Sequence, residues 1–321
     1  MRRPLALLLV TASALAIAAC SGGAKTSADA QAALSVTSTS GSAGGVAAGG
    51  TGASPLASDA AASGGDASHA APSSAAGAGS TGPGSTDPST VASPAGSISG
   101  RPLAGKVIVL DPGHQYGSQF HLRQINKKVD AGGFKKACNT TGTATDSGYP
   151  ESAFTMAVAN YTKKKLEALG AKVYLTRPRE SSSLWGPCID ARGRAGGKYN
   201  ADAVVSIHGD GEPAGLHGFF VIRPALKMGW TDDIFASSKK LATAIHSGLR
   251  AAGLANANYV GGDGYDVRGD LGTLNWESKP VVMIEMGNMR NGTDAQHMKA
   301  ARWQRDVYAQ GIVNGLVTFL G

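Results

Sequence analysis

Two short apolar runs in this chain each stop at a histidine. Val107-Ile108-Val109-Leu110-Asp111-Pro112-Gly113-His114 is a β-type stretch closed by a Pro-Gly turn, and Ala203-Val204-Val205-Ser206-Ile207-His208 ends in the same way. One imidazole at a strand end is ordinarily structural, but two of them point to a metal, because open α/β sheets assemble their sites at the carboxyl ends of their strands. Catalytic zinc takes three protein ligands from His, Glu, Asp or Cys and leaves one position to water. The best third candidate is Glu151, which follows Tyr149-Pro150 and opens a helix-like stretch with Phe154, Val158, Tyr161 and Leu169 on one side. An acid in the first turn also complements the helix dipole, so the position of Glu151 leaves both roles open. A fourth group, Glu285, ends the apolar run Pro280-Val281-Val282-Met283-Ile284. An ionised carboxylate there is costly unless it is paired, hydrogen-bonded or near a metal.

The elements that must carry these residues are legible from periodicity. Strand-like runs at 106–111, 171–176, 203–208, 218–223 and 281–286 alternate with helix-like stretches at about 151–169, 187–199, 232–252 and 294–319. This alternation predicts an α/β fold: a single domain with an open mixed β-sheet flanked by helices on both faces, of the phosphorylase/hydrolase-like kind, occupying residues 101–321. About 220 residues suffice for one full core. In the last helix Trp303, Val307, Tyr308, Ile312, Leu316 and Phe319 fall near helical spacing and are expected in the core. Between His114 and Glu151 lies a long basic segment with Arg123, Lys127, Lys128, Lys135 and Lys136, expected to form a rim or lid because loops of this length in compact domains tend to be functional. His121, His217, His246 and His297 have no companions at ligand spacing.

The start of the chain is read separately from the fold. Arg2-Arg3 followed by the apolar stretch Leu5 to Ala19 has the layout of a secretory signal, too short and alanine-rich for a spanning helix. Ile17-Ala18-Ala19-Cys20 before Ser21 resembles a bacterial lipobox, which makes residues 1–20 a lipoprotein-type signal, Cys20 the lipidated residue and the membrane a partner; several acyl chains would anchor stably. Residues 21–100 are Ala, Gly, Ser, Thr and Pro with almost no large apolar side chain, a composition expected to be disordered. Such a tether reaches on the order of 50 Å. Residues 1–98 hold three of the chain's 30 basic and four of its 23 acidic residues, leaving 27 against 19, a net of +8, on the remainder. A basic, exported domain favours an anionic cell-wall polymer over nucleic acid. With Cys20 assigned to lipid, Cys138 and Cys188 remain as a pair, and in an oxidising compartment a disulfide is the default, free thiols or a closed structural zinc site being the alternatives.

Taken in order, the motifs resemble those of the zinc-dependent N-acetylmuramoyl-L-alanine amidases of peptidoglycan. The elements are Asp111-Pro112-Gly113-His114, the helix-opening Glu151, Gly170-Ala171-Lys172-Val173-Tyr174-Leu175-Thr176-Arg177, Ser206-Ile207-His208 and Glu285-Met286-Gly287, over roughly residues 103–321. The resemblance implies Zn2+ on His114, Glu151 and His208, with Glu285 as the catalytic carboxylate. Arg177 and Arg192 follow family-like contexts and are candidates for structural or substrate-binding roles, since guanidinium groups suit the carboxylates of peptide stems. The chain departs from the family pattern at Gln115, in the 37 positions from His114 to Glu151, at Gly209-Asp210-Gly211, and in lacking an aromatic residue between Gly287 and Asn291. These changes bear on loop shape and substrate contacts more than on the metal site. The implied activity is hydrolysis of the bond between N-acetylmuramic acid and L-alanine, on peptidoglycan or a muropeptide, by a monomer at the outer face of the cytoplasmic membrane. A zinc carboxypeptidase or endopeptidase cutting within the stem, and an inactive tethered wall-binding module, are the competing readings.

Overall fold

The computed structural model describes residues 100–321. The signal, Cys20 and the linker lie outside the described residues. A six-stranded mixed sheet runs in the order β4 (Lys172–Leu175), β1 (Val107–Pro112), β5 (Ala203–Asp210), β8 (Val281–Asn288), β6 (Phe220–Pro224), β7 (Tyr265–Arg268). The first four are mutually parallel, β6 runs antiparallel to β8, and β7 is parallel to β6. A hairpin of β2 (Lys128–Asp130) and β3 (Lys135–Ala137) stands apart from it.

The central strands are apolar without interruption because both faces are covered, as parallel sheets require. Period-two alternation then sorts the side chains between two cores. Ile108, Leu110, Val205, Ile207, Val282 and Ile284 meet the helices Glu151–Ala168, Phe235–Ala251 and Ala309–Leu320. Val109, Val204, Val281 and Met283 face the opposite side, against Ala195, Leu274 and Ile234. That second layer is made of short helices and loops, which leaves room for a cleft at the strand ends. His208 and Glu285 share its parity.

The expected strands and the 151–169 helix are present to within two residues at each end. The 187–199 helix is instead two pieces, Ile189–Gly193 and Ala195–Tyr199, separated at Arg194. The 294–319 helix breaks at Ala300, whose extended backbone ends the helix Gly292–Lys299; a wide turn at Gln304–Tyr308 follows before the final helix. Gln304 explains the bend locally, since its buried amide donates to Met298 O at 2.7 Å and to Tyr149 Oη at 3.0 Å. Tyr308, Ile312 and Leu316 are buried, and Trp303, Val307 and Phe319 pack against them, so these side chains are core. Strand β7, the β2–β3 hairpin and the helix Gly272–Asn275 carry little apolar periodicity and were not anticipated. Among the described residues no helix is long and apolar enough to cross a membrane.

Candidate metal centre and cleft

Strand β1 delivers His114 through a turn with two special residues. Gly113 donates to Ile207 O at 2.9 Å, tying the turn to β5. A Cβ at Gly113 would lie 2.4 Å from His208 Cε1, so only glycine lets the two strand ends approach. His114 has φ +56°, the left-handed region that a bulky residue rarely takes, and strain of this kind gathers at functional sites. Its Nε2 stands 3.1 Å from Glu151 Oε2, while Nδ1 is 3.2 Å from Thr140 O. His208, near the end of β5, places Nδ1 3.0 Å from Glu151 Oε1, and the two rings meet edge to face at 4.9 Å. One ligand atom from each of His114, Glu151 and His208 lies within 4.8 Å of the others.

Glu151 is the first residue of its helix, behind Pro150, and is 3 % exposed. Beyond the imidazoles its oxygens accept from Gly209 N at 3.1 Å and Thr143 N at 3.0 Å. Burial alone would raise the proton affinity of this carboxyl, but the two imidazoles outweigh burial and hold it below the carboxylate range. Burial likewise works against the His114 proton, and the Glu151 charge overcomes it and raises the His114 pKa. Two imidazoles converging on one ionised carboxylate form a nitrogen and oxygen donor set of the type that holds zinc.

The β5–β8 register sets Glu285 opposite His208. Its Oε2 is buried without a hydrogen-bond partner. Burial, followed by the Glu151 and Asp210 charges, pushes its pKa well above the usual carboxylate range. A carboxyl so placed, facing a cleft beside a donor cluster, has the properties of a general base.

Beneath the His114 turn lies a buried charge network. Asp111 accepts from Arg192 Nη1 at 2.6 Å, from Ser206 Oγ at 2.7 Å and from Thr176 Oγ1. Although burial acts in the other direction, Arg192 and these hydroxyls keep Asp111 below its ordinary pKa. Arg192 also donates to Pro112 O at 2.9 Å and to His114 O at 2.9 Å. Arg177, 1 % exposed, donates to Pro112 O at 2.9 Å, Gly113 O at 3.1 Å and Ser152 O at 2.7 Å. Both guanidinium groups therefore bond carbonyls of the Pro112-Gly113-His114 turn. Arg192 also lines the cleft beside this centre, and Arg177 does not.

A cleft of about 280 Å³ opens beside this centre, lined by His114, His208 and Glu285 together with Lys136, Ile189 and Leu271. The segment after His114 forms its rim through β3 and Asn139–Thr140. That rim is tied down by the disulfide Cys138–Cys188, with Cα atoms 4.4 Å apart. Thr140, Gly142 and Thr143 were missed as site residues. Glu151 N donates to Thr143 O at 2.9 Å, and a Cβ at Gly142 would come within 2.9 Å of both Glu151 Oε2 and His114 Cγ. The polar run Asn139-Thr140-Thr141-Gly142-Thr143 behind Cys138 was the available signal. Of the remaining histidines, His246 bonds Asn256 at 3.0 Å and His297 stacks on Trp303, away from the ligand group.

A mixed α/β domain with donors for a metal ion clustered at the carboxyl ends of its central strands is the class defined by this fold and site. The sequence profile of the N-acetylmuramoyl-L-alanine amidases matches residues 108–318, and the chain belongs to that family. It is 36% identical over 219 residues to the N-acetylmuramoyl-L-alanine amidase Rv3717 of Mycobacterium tuberculosis, covering 68% of this chain and 88% of the relative. It is 28% identical over 221 residues to the probable cell wall amidase LytH of Staphylococcus epidermidis, covering 68% of this chain and 60% of that protein. Among solved structures, the apo form of the N-acetylmuramyl-L-alanine amidase Ami1 of Mycobacterium abscessus superposes with a TM-score of 0.63 at 40% identity, over 68% of this chain and 100% of that one.

Proposed function

We propose that this protein is a zinc-dependent N-acetylmuramoyl-L-alanine amidase that separates the stem peptide from the sugar of peptidoglycan or a muropeptide. The observation that carries the proposal is the convergence of His114, Glu151 and His208 beside the unpartnered oxygen of Glu285 at the mouth of a cleft. His114, Glu151 and His208 would hold Zn2+, which when bound supplies Lewis acidity toward the scissile carbonyl and toward water.

The chain's own residues do the rest. Glu285, kept basic by burial and neighbouring negative charge, takes the proton of the attacking water and delivers it to the departing alanine amine, so one carboxyl serves as base and then acid. Gly209 N and Thr143 N fix the Glu151 carboxylate from behind, and Thr140 O orients the His114 ring, as outer-layer partners of metal ligands do. Arg192 and Asp111 hold the turn that carries His114, acting on position and not on substrate. The lipobox at Cys20 and the Ala/Gly/Ser-rich stretch after it support export and tethering of the catalytic domain to the membrane. Membrane retention of the Cys20→Ala protein would rule that anchor out.

Mass spectrometry of purified muropeptides after digestion tests the activity. Release of an intact stem peptide from the sugar is expected. A shortened stem still attached to the sugar would assign the centre to a peptidase, and no cleavage by metal-loaded protein would leave only a wall-binding role.

A further inference from the structure

Beyond the donor cluster, the cleft wall is mainly apolar, with Ala137, Ile189, Leu271 and Met283 beside the polar Asn139 and Thr273. Apart from Glu285, its charged residues are Arg192 and Lys136. Arg192 is 3% exposed and gives four of its five N–H groups to Asp111, Pro112, His114 and Pro187, which fixes it under the His114 turn. Lys136 differs. Its Nζ donates to Asp270 O at 2.9 Å and to Asp270 Oδ2 at 3.2 Å, which leaves one of three N–H donors free, and its side chain is 40% exposed.

The charge balance points the same way. Asp270 is already engaged by Arg268 through two bonds, Nε at 2.7 Å and Nη2 at 2.9 Å, with Asp266 a looser partner of that arginine at 3.7 Å. The bidentate pair is the stronger attachment, so Asp270 positions Lys136 without fully neutralising it. Lys136 lines the cleft, whereas Lys135 beside it is exposed. A partly exposed cation lining a mainly apolar cleft that also holds the reacting centre suits a ligand that carries a small apolar group and an anion.

Resting on the amidase reading above, we infer that Lys136 is a specificity residue that binds a carboxylate on the peptide limb of the substrate, one residue beyond the alanine whose amide is cut. The alanine methyl lies along Ala137, Leu271 and Met283, and the carboxylate accepts from Nζ. Asp270 and Arg268 hold the ammonium in place. A stem whose carboxylate is blocked as a carboxamide keeps the methyl contact and loses the charge-assisted bond.

The test compares two muramoyl-L-alanyl dipeptides, one with a free carboxylate on its second residue and one with that group amidated. Wild-type protein is expected to favour the free acid by about tenfold in kcat/KM, carried by KM, as loss of one charge-assisted bond implies. In K136M that preference disappears, and K136R retains part of it; melting curves establish that the variants are folded. Equal rates on both substrates for the wild type, or a preference that survives in K136M, would overturn the inference. Should zinc-loaded protein cleave neither substrate, the amidase reading fails separately. Lys136 is then judged by calorimetry with the free alanyl dipeptide and its amide, where equal affinities refute it and tighter binding of the acid, lost in K136M, supports it.

Discussion

Gly113→Ala isolates the packing that joins the two histidine-bearing strands. The added methyl would stand 2.4, 2.6 and 2.7 Å from Cε1, Nδ1 and Nε2 of His208, where ordinary contact begins near 3.4 Å. The backbone of Gly113 is not in a glycine-only region, so the conformation itself accepts alanine. The turn cannot retreat, because Gly113 N is bonded to Ile207 O and its carbonyl accepts from Thr155 Oγ1 at 2.9 Å and Arg177 Nη2 at 3.1 Å. His208 must therefore yield by about 1 Å, breaking its alignment with Glu151. Overpacking of this size costs about 1–3 kcal/mol of stability, a tolerable loss for a domain of about 5–15 kcal/mol. The effect on the centre is larger in proportion: disturbing the support of a metal ligand lowers affinity about 10–100-fold, and a 1 Å misplacement lowers turnover by about 10²-fold. Zinc competition titration, kcat/KM on a muropeptide and a melting curve measure the three quantities together. A folded Gly113→Ala protein with wild-type zinc affinity and turnover would refute both the ligand role of His208 and the reasoning from close approach.

Three further outcomes follow from the same geometry. Glu285→Gln should retain zinc by elemental analysis and lose about 10²–10⁴-fold in kcat, as removal of a general base does; a fully active variant would sink the assigned mechanism. Replacing Cys138 and Cys188 by Ser opens a loop of 50 positions, for which chain entropy gives at most about 4 kcal/mol, so the melting temperature should fall while zinc content holds; an unchanged melting curve would contradict this. Glu277, 2 % exposed, has its pKa pushed up to about 7 by burial, against the lowering effect of backbone N–H donors that include Gly196 and Ser278. Its neutral form is the one the fold prefers, so its contribution is fully present below the unfolded value of about 4.5 and is lost as pH rises through about 7. The loss amounts to at most about 3 kcal/mol. Urea titrations from pH 4.5 to 8, with Glu277→Gln as the comparison that removes this slope, decide it; superimposable pH profiles would refute the assignment.

What the linear sequence determined is the set of groups and their local settings. Runs of β-branched residues ending in His114, His208 and Glu285 had to be buried strands presenting polar groups at their ends, because no other local structure suits such runs. Pro150-Glu151 had to open a helix, since proline fits the first turn and an acid suits its dipole. The pairing of Cys138 with Cys188 was legible from compartment and count. What only the tertiary structure decided is how those groups combine. The parallel pairing of β5 with β8 sets Glu285 beside His208, a relation between segments 77 positions apart that no local pattern encodes. The absence of a side chain at Gly113, unremarkable in a Pro-Gly turn, proves to be what lets His208 reach Glu151. Arg177 and Arg192 looked equally suited to substrate or scaffold, because a guanidinium binds carboxylates and carbonyls alike; only the tertiary structure shows that both are buried under the His114 turn and bonded to its carbonyls. The basic segment between His114 and Glu151 was read as a rim from its length and composition, yet its hairpin has little apolar periodicity and owes its position to a disulfide and to long-range contacts. Singling out Lys136 from its neighbouring lysines required knowing which side of that hairpin faces the cleft, and that depends on packing between parts of the chain that the sequence keeps far apart.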